Sequence, residues 1–420
     1  MSELFKPQVS FAKELDLLDP LKHYREKFCF PKHKNGEEVI YLAGNSLGLQ
    51  PKSVREYVEQ ELKDWETLAV DAHTQAKNPW LPYHEFLTEQ TAQLVGAMPE
   101  ETVNMNSLTT NLHLLFVSFY RPTKERHKIL IESNAFPSDH YAIQSQIRFH
   151  GFDVETSLIE MKPKAGENQI QTEDIEEIID KNGDSIALIW FAGVNYYSGQ
   201  AFELKRITEA AHKKNIVAGF DLAHATGNLL MNLHDWNVDF AVWCNYKYMN
   251  GGPGAIGGAY VHEKHLNDQS LPKFLGWWGH DKQTRFLMDH KYIPIPTVES
   301  WQLSNPPILQ LASLKASLDI FDSVGMKALR EKSEQLTGYL EFLINENKNA
   351  NIEIITPKEV NERGCQLSLR IKSNGKKLYQ RLLAEGVICD WREPDVIRVA
   401  PVPLYNTFEE VWRFVEILSK

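Results

Sequence analysis

An α/β fold, in which a large domain on a mostly parallel sheet is followed by a smaller α+β domain, is predicted by three features of the sequence. Short apolar runs alternate with helical patterns between residues 127 and 261, and strands separated by helices of this length imply crossover connections with helices on both sheet faces. Residues 365–419 then read strand, helix, strand, helix. The length, 420 residues, exceeds the ~250–300 at which a single core usually stops growing, so two domains are expected.

Taken in order, Asp19-Pro20 marks a capped helix start, since proline in the first helical turn loses no hydrogen bond, and its neighbours suggest a packed arm. From Ser53, the apolar positions Val54, Val58, Leu62 and Trp65 recur at helical spacing and predict one amphipathic helix. The alternating middle places apolar runs or helical patterns at 127–132, 137–149, 152–159, 185–191, 204–215, 216–221, 238–244 and 255–261. Ser304-Asn305-Pro306-Pro307-Ile308 opens a long helix with the stripe Leu311, Leu314, Leu318 and Phe321, and a second helix covers 326–345. Thr407 with Glu410 forms a capping box for the last helix. The expected division is an arm over 1–50 packing with the small domain, a large domain over 51–310 and a small domain over 311–420.

Charge narrows the function. With 45 Lys+Arg against 56 Asp+Glu, the net charge of −11 argues against a nucleic-acid surface or a basic membrane-facing patch. No stretch approaches the ~20 apolar residues of a membrane span, and the opening Met-Ser-Glu-Leu-Phe-Lys-Pro lacks a signal peptide's basic-then-apolar order, so a soluble cytoplasmic protein is expected. Cys29, Cys244, Cys365 and Cys389 fit neither C-x-x-C nor metal-ligand spacing and read as reduced, buried thiols, with no metal expected. There is no internal repeat or low-complexity tract.

The chemistry concentrates in Gly219-Phe220-Asp221-Leu222-Ala223-His224-Ala225 and in Asn245-Tyr246-Lys247-Tyr248 before Gly251-Gly252. An acid ends one buried strand and a lysine lies just beyond the next. Ligands of open α/β sheets bind outside the carboxyl ends of strands, so both side chains should reach one crevice. Pyridoxal phosphate requires that pair: the lysine supplies the Schiff-base amine and the carboxylate keeps the pyridine nitrogen protonated. Taken singly, Lys247 reads as a surface lysine and Asp221 as a strand-end turn residue; their joint placement, with His224 three residues on, favours chemistry. Leu108 and Thr109 precede an apolar helical run and can supply amides and a hydroxyl to a phosphate, although Thr109 also reads as a plain N-cap. Phe136-Pro137-Ser138-Asp139 lies between a strand and a helix; Phe136 could stack on a pyridine ring, or the run could be a simple turn.

These motifs carry a resemblance. The chain resembles the kynureninases, fold-type-I pyridoxal-phosphate enzymes of the class V aminotransferase-like superfamily, from Leu42-Ala43-Gly44-Asn45-Ser46-Leu47-Gly48-Leu49-Gln50-Pro51 through the acid and lysine motifs to Ile397-Arg398-Val399-Ala400-Pro401-Val402-Pro403-Leu404-Tyr405-Asn406. The resemblance covers nearly the whole chain. It implies hydrolysis of L-kynurenine or 3-hydroxykynurenine to anthranilate, or its 3-hydroxy form, and L-alanine, in a homodimer with a shared active site. It assigns the cofactor to Leu108, Thr109, Phe136, Pro137, Ser138, Asp139, Asp221, His224, Tyr246 and Lys247, with Trp277 and Asn305 reaching it across the dimer. Lys247 and Tyr246 would be the proton-moving pair.

The resemblance also makes Arg398 the ligand of the substrate carboxylate, a role for which a planar fork suits. Without the motif, Arg398 reads as a solvated charge on an edge strand. Ser46, His73 and Asn305 are candidates for the aryl end, with Trp80 or Trp278 as walls; each aromatic alone is more often core packing. Ala192 departs from a position where relatives are expected to carry serine, which puts one cofactor hydrogen bond in doubt. Two rivals remain, a cysteine desulfurase-like lyase, which needs a nucleophilic cysteine on a mobile loop, and a cofactor-binding protein without turnover.

Overall fold

A computed structural model describes residues 5–420; Met1 to Leu4, part of the segment on which the signal-peptide reading rests, lie outside the described residues. The chain opens with helix α1 (Val9–Leu18), ahead of the expected start at Asp19-Pro20. Asp19 is instead the C-cap of α1, and its carboxylate accepts the Leu21 N–H at 2.8 Å to begin a 3₁₀ turn over Lys22–Lys27. Strand β1 (Ile40–Tyr41) pairs in parallel with a strand of the small domain and α1 packs on the last helix, while Tyr24 and Phe28 of the arm join the core of the large sheet.

Helix α2 (Val54–Leu68) forms where the spacing predicts, but Leu62 and Trp65 point outward, 39% and 60% exposed. Its buried positions include Glu61 and Asp64, which accept hydrogen bonds from Trp80 Nε1 (2.8 Å) and the Lys77 N–H (3.2 Å).

The large sheet contains β2 (Thr102–Asn104), β3 (Lys128–Glu132), β4 (Leu158–Met161), β5 (Ile186–Ala192), β6 (Val217–Asp221), β7 (Phe240–Cys244) and β8 (Gly257–Val261), in the order β2-β8-β7-β6-β5-β3-β4. β3 to β7 are mutually parallel and β8 is antiparallel to both neighbours. The run expected as a strand at 152–159 is a helical turn, Val154–Ser157, followed by β4.

Between these strands run α3 (Leu108–Phe119), α4 (Pro137–Phe149), α5 (Thr172–Asn182) and α6 (Leu204–Lys213). Alternate residues of each strand face opposite layers, as the pleat requires. Ile129, Trp190 and Val242 pack with Leu112, Phe116 and Ile143 on one side. Leu130, Ile189 and Ala241 pack on the other with Leu311, Leu314 and Phe321 of α7 (Ile308–Val324).

Because α7 seals the large sheet, the expected division at 310/311 falls inside a helix whose buried face belongs to the large domain. The small-domain core begins on α8 (Met326–Glu346), beyond the turn at Gly325. It is completed by α9 (Gly375–Ala384), α10 (Phe408–Ser419), and β9 (Ile352–Ile354), β10 (Leu367–Ile371), β12 (Asp390–Arg392) and β13 (Val396–Val399) in the order β12-β13-β10-β9, while β11 (Val387–Ile388) takes β1. The capping box predicted for Thr407 and Glu410 is present at α10.

Candidate active site

The carboxyl ends of β3, β5, β6 and β7 open into one cleft. Lys247 and Asp221 both line it, with Leu108, Thr109, Phe136, Ser138, Asp139, His224 and Tyr246. Each arrives for a local reason. Asp221 ends β6, where its Oδ1 accepts the Ala223 N–H at 2.7 Å. Tyr246 and Lys247 follow β7 in a turn closed by the Gly251 N–H on the Asn245 carbonyl at 2.8 Å.

Asn106 adopts a left-handed conformation (φ 47°), which asparagine tolerates, immediately before α3. The first turns of α3 and α4 then meet where Thr109 Oγ1 and Ser138 Oγ hydrogen-bond at 2.9 Å. Two helix N-termini with free backbone amides converge there, an arrangement that binds anions. Thr109 is thus a residue of the first turn and not the N-cap, which is Ser107. Phe136 is 46% exposed and edge-on to Tyr196, 5.2 Å between centroids, leaving a ring face available.

Burial sets the protonation states. It raises Asp221, opposed by the Lys247 charge, and raises Asp139 further because Asp221 lies beside it. His224 is held well below its ordinary value, by burial first and then by Lys247 and Arg398, so its ring is neutral; its Nδ1 has no partner. Burial and the neighbouring Cys244 keep Tyr246 a phenol at neutral pH. An acceptor for a protonated ring nitrogen, an anion cradle, an amine and a neutral imidazole fit pyridoxal phosphate. Ala192 lines the cleft as well, and its N–H goes to Glu132, a cleft residue that the sequence motifs did not single out because an acid ending a strand reads as solvated.

Other expected site residues lie elsewhere. Arg398 is on β13, an inner strand and not an edge, and is 1% exposed; its Nη1 donates to the Tyr196 carbonyl at 2.7 Å, and its Nη2 to Ser46 Oγ at 3.0 Å and Asp390 at 2.5 Å. Ser46 Oγ also hydrogen-bonds Asp390, so within the chain it joins the arginine's network. His73 pairs with the Val70 carbonyl (2.9 Å) and leans on Trp80; Trp278 is buried under Arg285. Trp277 is 46% exposed and Asn305 exposed, and neither lines the cleft within one chain.

Cys244, Cys365 and Cys389 are buried, with burial raising all three thiols, whereas Cys29 is exposed on the arm, contrary to expectation. Cys365 precedes β10 instead of lying within it. No cysteine lines the cleft, so the nucleophile of a desulfurase is missing from it.

Comparison with known proteins agrees with this geometry. The chain is similar, over 95% of its length, to the apo structure of a cysteine desulfurase from Thermococcus onnurineus NA1 (97% of that chain, TM-score 0.77, 17% identity), a likeness of fold alone. The fold is thus that of the fold-type-I enzymes. Residues 329–418 match the kynureninase C-terminal domain. The chain is 56% identical over 412 residues to a kynureninase of Koribacter versatilis, covering 98% of this chain and 97% of the relative. It is also 55% identical over 416 residues to one of Myxococcus xanthus, covering 99% and 98%. Identity at this level along nearly the full length shows that the chain belongs to the kynureninase family.

Proposed function

We propose that the protein hydrolyses L-kynurenine, or its 3-hydroxy form, to anthranilate or 3-hydroxyanthranilate and L-alanine, with pyridoxal phosphate as cofactor. The observation that carries the reading is Lys247 and Asp221 facing one cleft in a chain of this family. The amides at Leu108 and Thr109 and the Ser138 hydroxyl would hold the phosphate, Asp221 the ring nitrogen, and Phe136 and His224 the ring faces. Lys247 would anchor the group through its amine. When bound, the cofactor supplies an electron-poor ring that accepts the electron pairs released as bonds to the substrate's α- and β-carbons break.

The chain moves the protons and holds the substrate. Lys247 Nζ, 5.5 Å from the Tyr246 ring centroid, takes the α-proton as a general base. Water adds to the side-chain ketone, the Cβ–Cγ bond breaks to release the aryl carboxylic acid, and the Tyr246 phenol donates a proton to the Cβ left on the alanine fragment, or a hydrogen bond to the phosphate. Arg398 binds the α-carboxylate, so that the small domain covers the cleft.

A homodimer with a shared site fits the exposed apolar residues Leu62, Trp65, Leu275, Trp277, Leu287 and Met288. In that assembly Trp277 and Asn305 serve the cleft of the second copy, and His73 stands near its aryl end. A cytoplasmic location is consistent with four unpaired cysteines. Among the described residues no helix is long and apolar enough to cross a membrane. Steady-state turnover of both substrates by the purified holoenzyme tests the reading. Bound cofactor with neither substrate consumed would leave a non-catalytic binding protein.

A further inference from the structure

Glu132 ends β3, is 1% exposed, and has no task in the mechanism above. It faces two spaces. One is the cleft; the other is a polar pocket behind it, lined by Asn134, Asn168, Asn195, Tyr197 and Arg370, between the strand ends and the small domain. Its carboxyl oxygens accept the Ala192 N–H at 3.2 and 3.4 Å, and Ala192 stands opposite Asp221 in the β5/β6 register.

Two more acids face Glu132 from neighbouring elements, Asp139 on α4 and Asp221 on β6, while the cleft lining offers one ammonium, Lys247, and a neutral His224. Across the second cavity, Glu167 and Arg370 complete the charged surroundings, and Arg370 is already engaged by Glu353 at 3.2 Å. Three buried carboxylates beside one ammonium cannot all be ionised; one negative charge matches the ammonium, and with Asp221 carrying it both Asp139 and Glu132 retain protons.

We propose that Glu132 is a positioning residue that stays a neutral acid, concentrating the cleft's negative charge on Asp221, and that it exchanges its proton through the polar cavity behind it. The role rests on the reading of Asp221 as the partner of the cofactor's ring nitrogen. Burial, reinforced by the Asp221 charge, pushes Glu132 up to about 8. An acid neutral in the folded chain and ionised in the unfolded one costs stability as pH rises from its ordinary value to its folded one, and the loss levels off above.

The test is made on the protein without cofactor. Glu132→Gln keeps the shape but cannot ionise, so its unfolding constant relative to wild type should fall about tenfold per pH unit between roughly pH 5 and 8 and then become constant. A ratio independent of pH overturns the proposal. Should the glutamine variant not fold, carbon-13 NMR of wild type labelled in glutamate carboxyls, assigned with Glu132→Asp, reads the same group. A Glu132 signal titrating near pH 8 supports the role, and one titrating near the ordinary carboxylate range overturns it. Adding pyridoxal phosphate separates the two readings. Failure to take up the cofactor's visible absorbance refutes the functional reading, whereas uptake with an ordinary Glu132 titration refutes this role.

Discussion

Replacing Arg398 by lysine keeps the charge and removes the planar fork. In the folded chain the guanidinium already spends donors on the Tyr196 carbonyl, Ser46 Oγ and Asp390, while its buried Nε has no partner. A lysine ammonium offers three donors from one point and cannot keep these partners while meeting a carboxylate in the same plane. Losing one charge-assisted hydrogen bond to the substrate costs about 1.5–3 kcal/mol, so kcat/KM for kynurenine should fall roughly 10- to 150-fold. Asp390 retains the Arg392 Nη2 at 3.0 Å as well as the new ammonium, so the fold should survive. Alanine instead would leave a buried carboxylate short of its closest cation, and breaking such a pair costs roughly 3–5 kcal/mol. Steady-state kinetics, read beside the cofactor spectrum and Tm, make the assay. A lysine variant with full kcat/KM and a normal spectrum would show that Arg398 is a structural node and that the carboxylate is bound elsewhere.

Lys247→Ala should abolish the visible absorbance of bound cofactor and cut turnover by orders of magnitude; a purified variant retaining both would remove Lys247 from the mechanism. Leu287→Asp or Trp65→Asp, at positions 73% and 60% exposed, should shift sedimentation from dimer toward monomer and lower activity with it. Such a dimer should bury more than the roughly 2,000 Å² of permanent association, and a fully active monomer at assay concentration refutes the shared site. Burial alone would raise Asp239, but hydrogen bonds from His212 and His265 and the charge of Lys264 outweigh it and hold the carboxyl well below its ordinary value. The stability it contributes is present above the unfolded value near ~3.9 and is lost as pH falls through the folded one. Asp239→Asn should therefore lower Tm at pH 7 and by less at pH 3, and an equal loss at both would contradict the linkage.

Where residues are buried on both faces, the sequence was a good guide: β3, β5, β6 and β7 are apolar runs, and their ends carry the cleft. It misled where burial is polar. The inner face of α2 uses Glu61 and Asp64 because Trp80, Asn78 and the Lys77 N–H need acceptors there, so of the apolar stripe Val58 packs on the core while Leu62 and Trp65 lie outside. Arg398 looked like an edge charge because β12 is three residues long, Asp390-Trp391-Arg392, too short and polar to announce a strand outside β13. Helix α1 escaped notice since Gln8 makes no side-chain cap and Leu17 and Leu18 lie exposed. Within the site, the motif around 42–51 was legible as a pattern, but its reason is contact. A Cβ on Gly48 would lie 2.4 Å from the Lys247 carbonyl oxygen, and one on Gly44 would lie 2.4 Å from the Tyr405 hydroxyl.

That short segment works as a tie rod between the two halves of the molecule. At one end Ala43 bridges to Ala400, and Ser46 touches Arg398; two residues later the Gly48 N–H donates to the Tyr246 carbonyl at 2.8 Å, one residue from Lys247. On the proposed reading of Arg398, the six residues from Ala43 to Gly48 therefore join the carboxylate site to the backbone beside Lys247. Slack introduced between Ser46 and Gly48, such as an inserted glycine, would uncouple substrate capture from proton removal while leaving both sets of side chains intact.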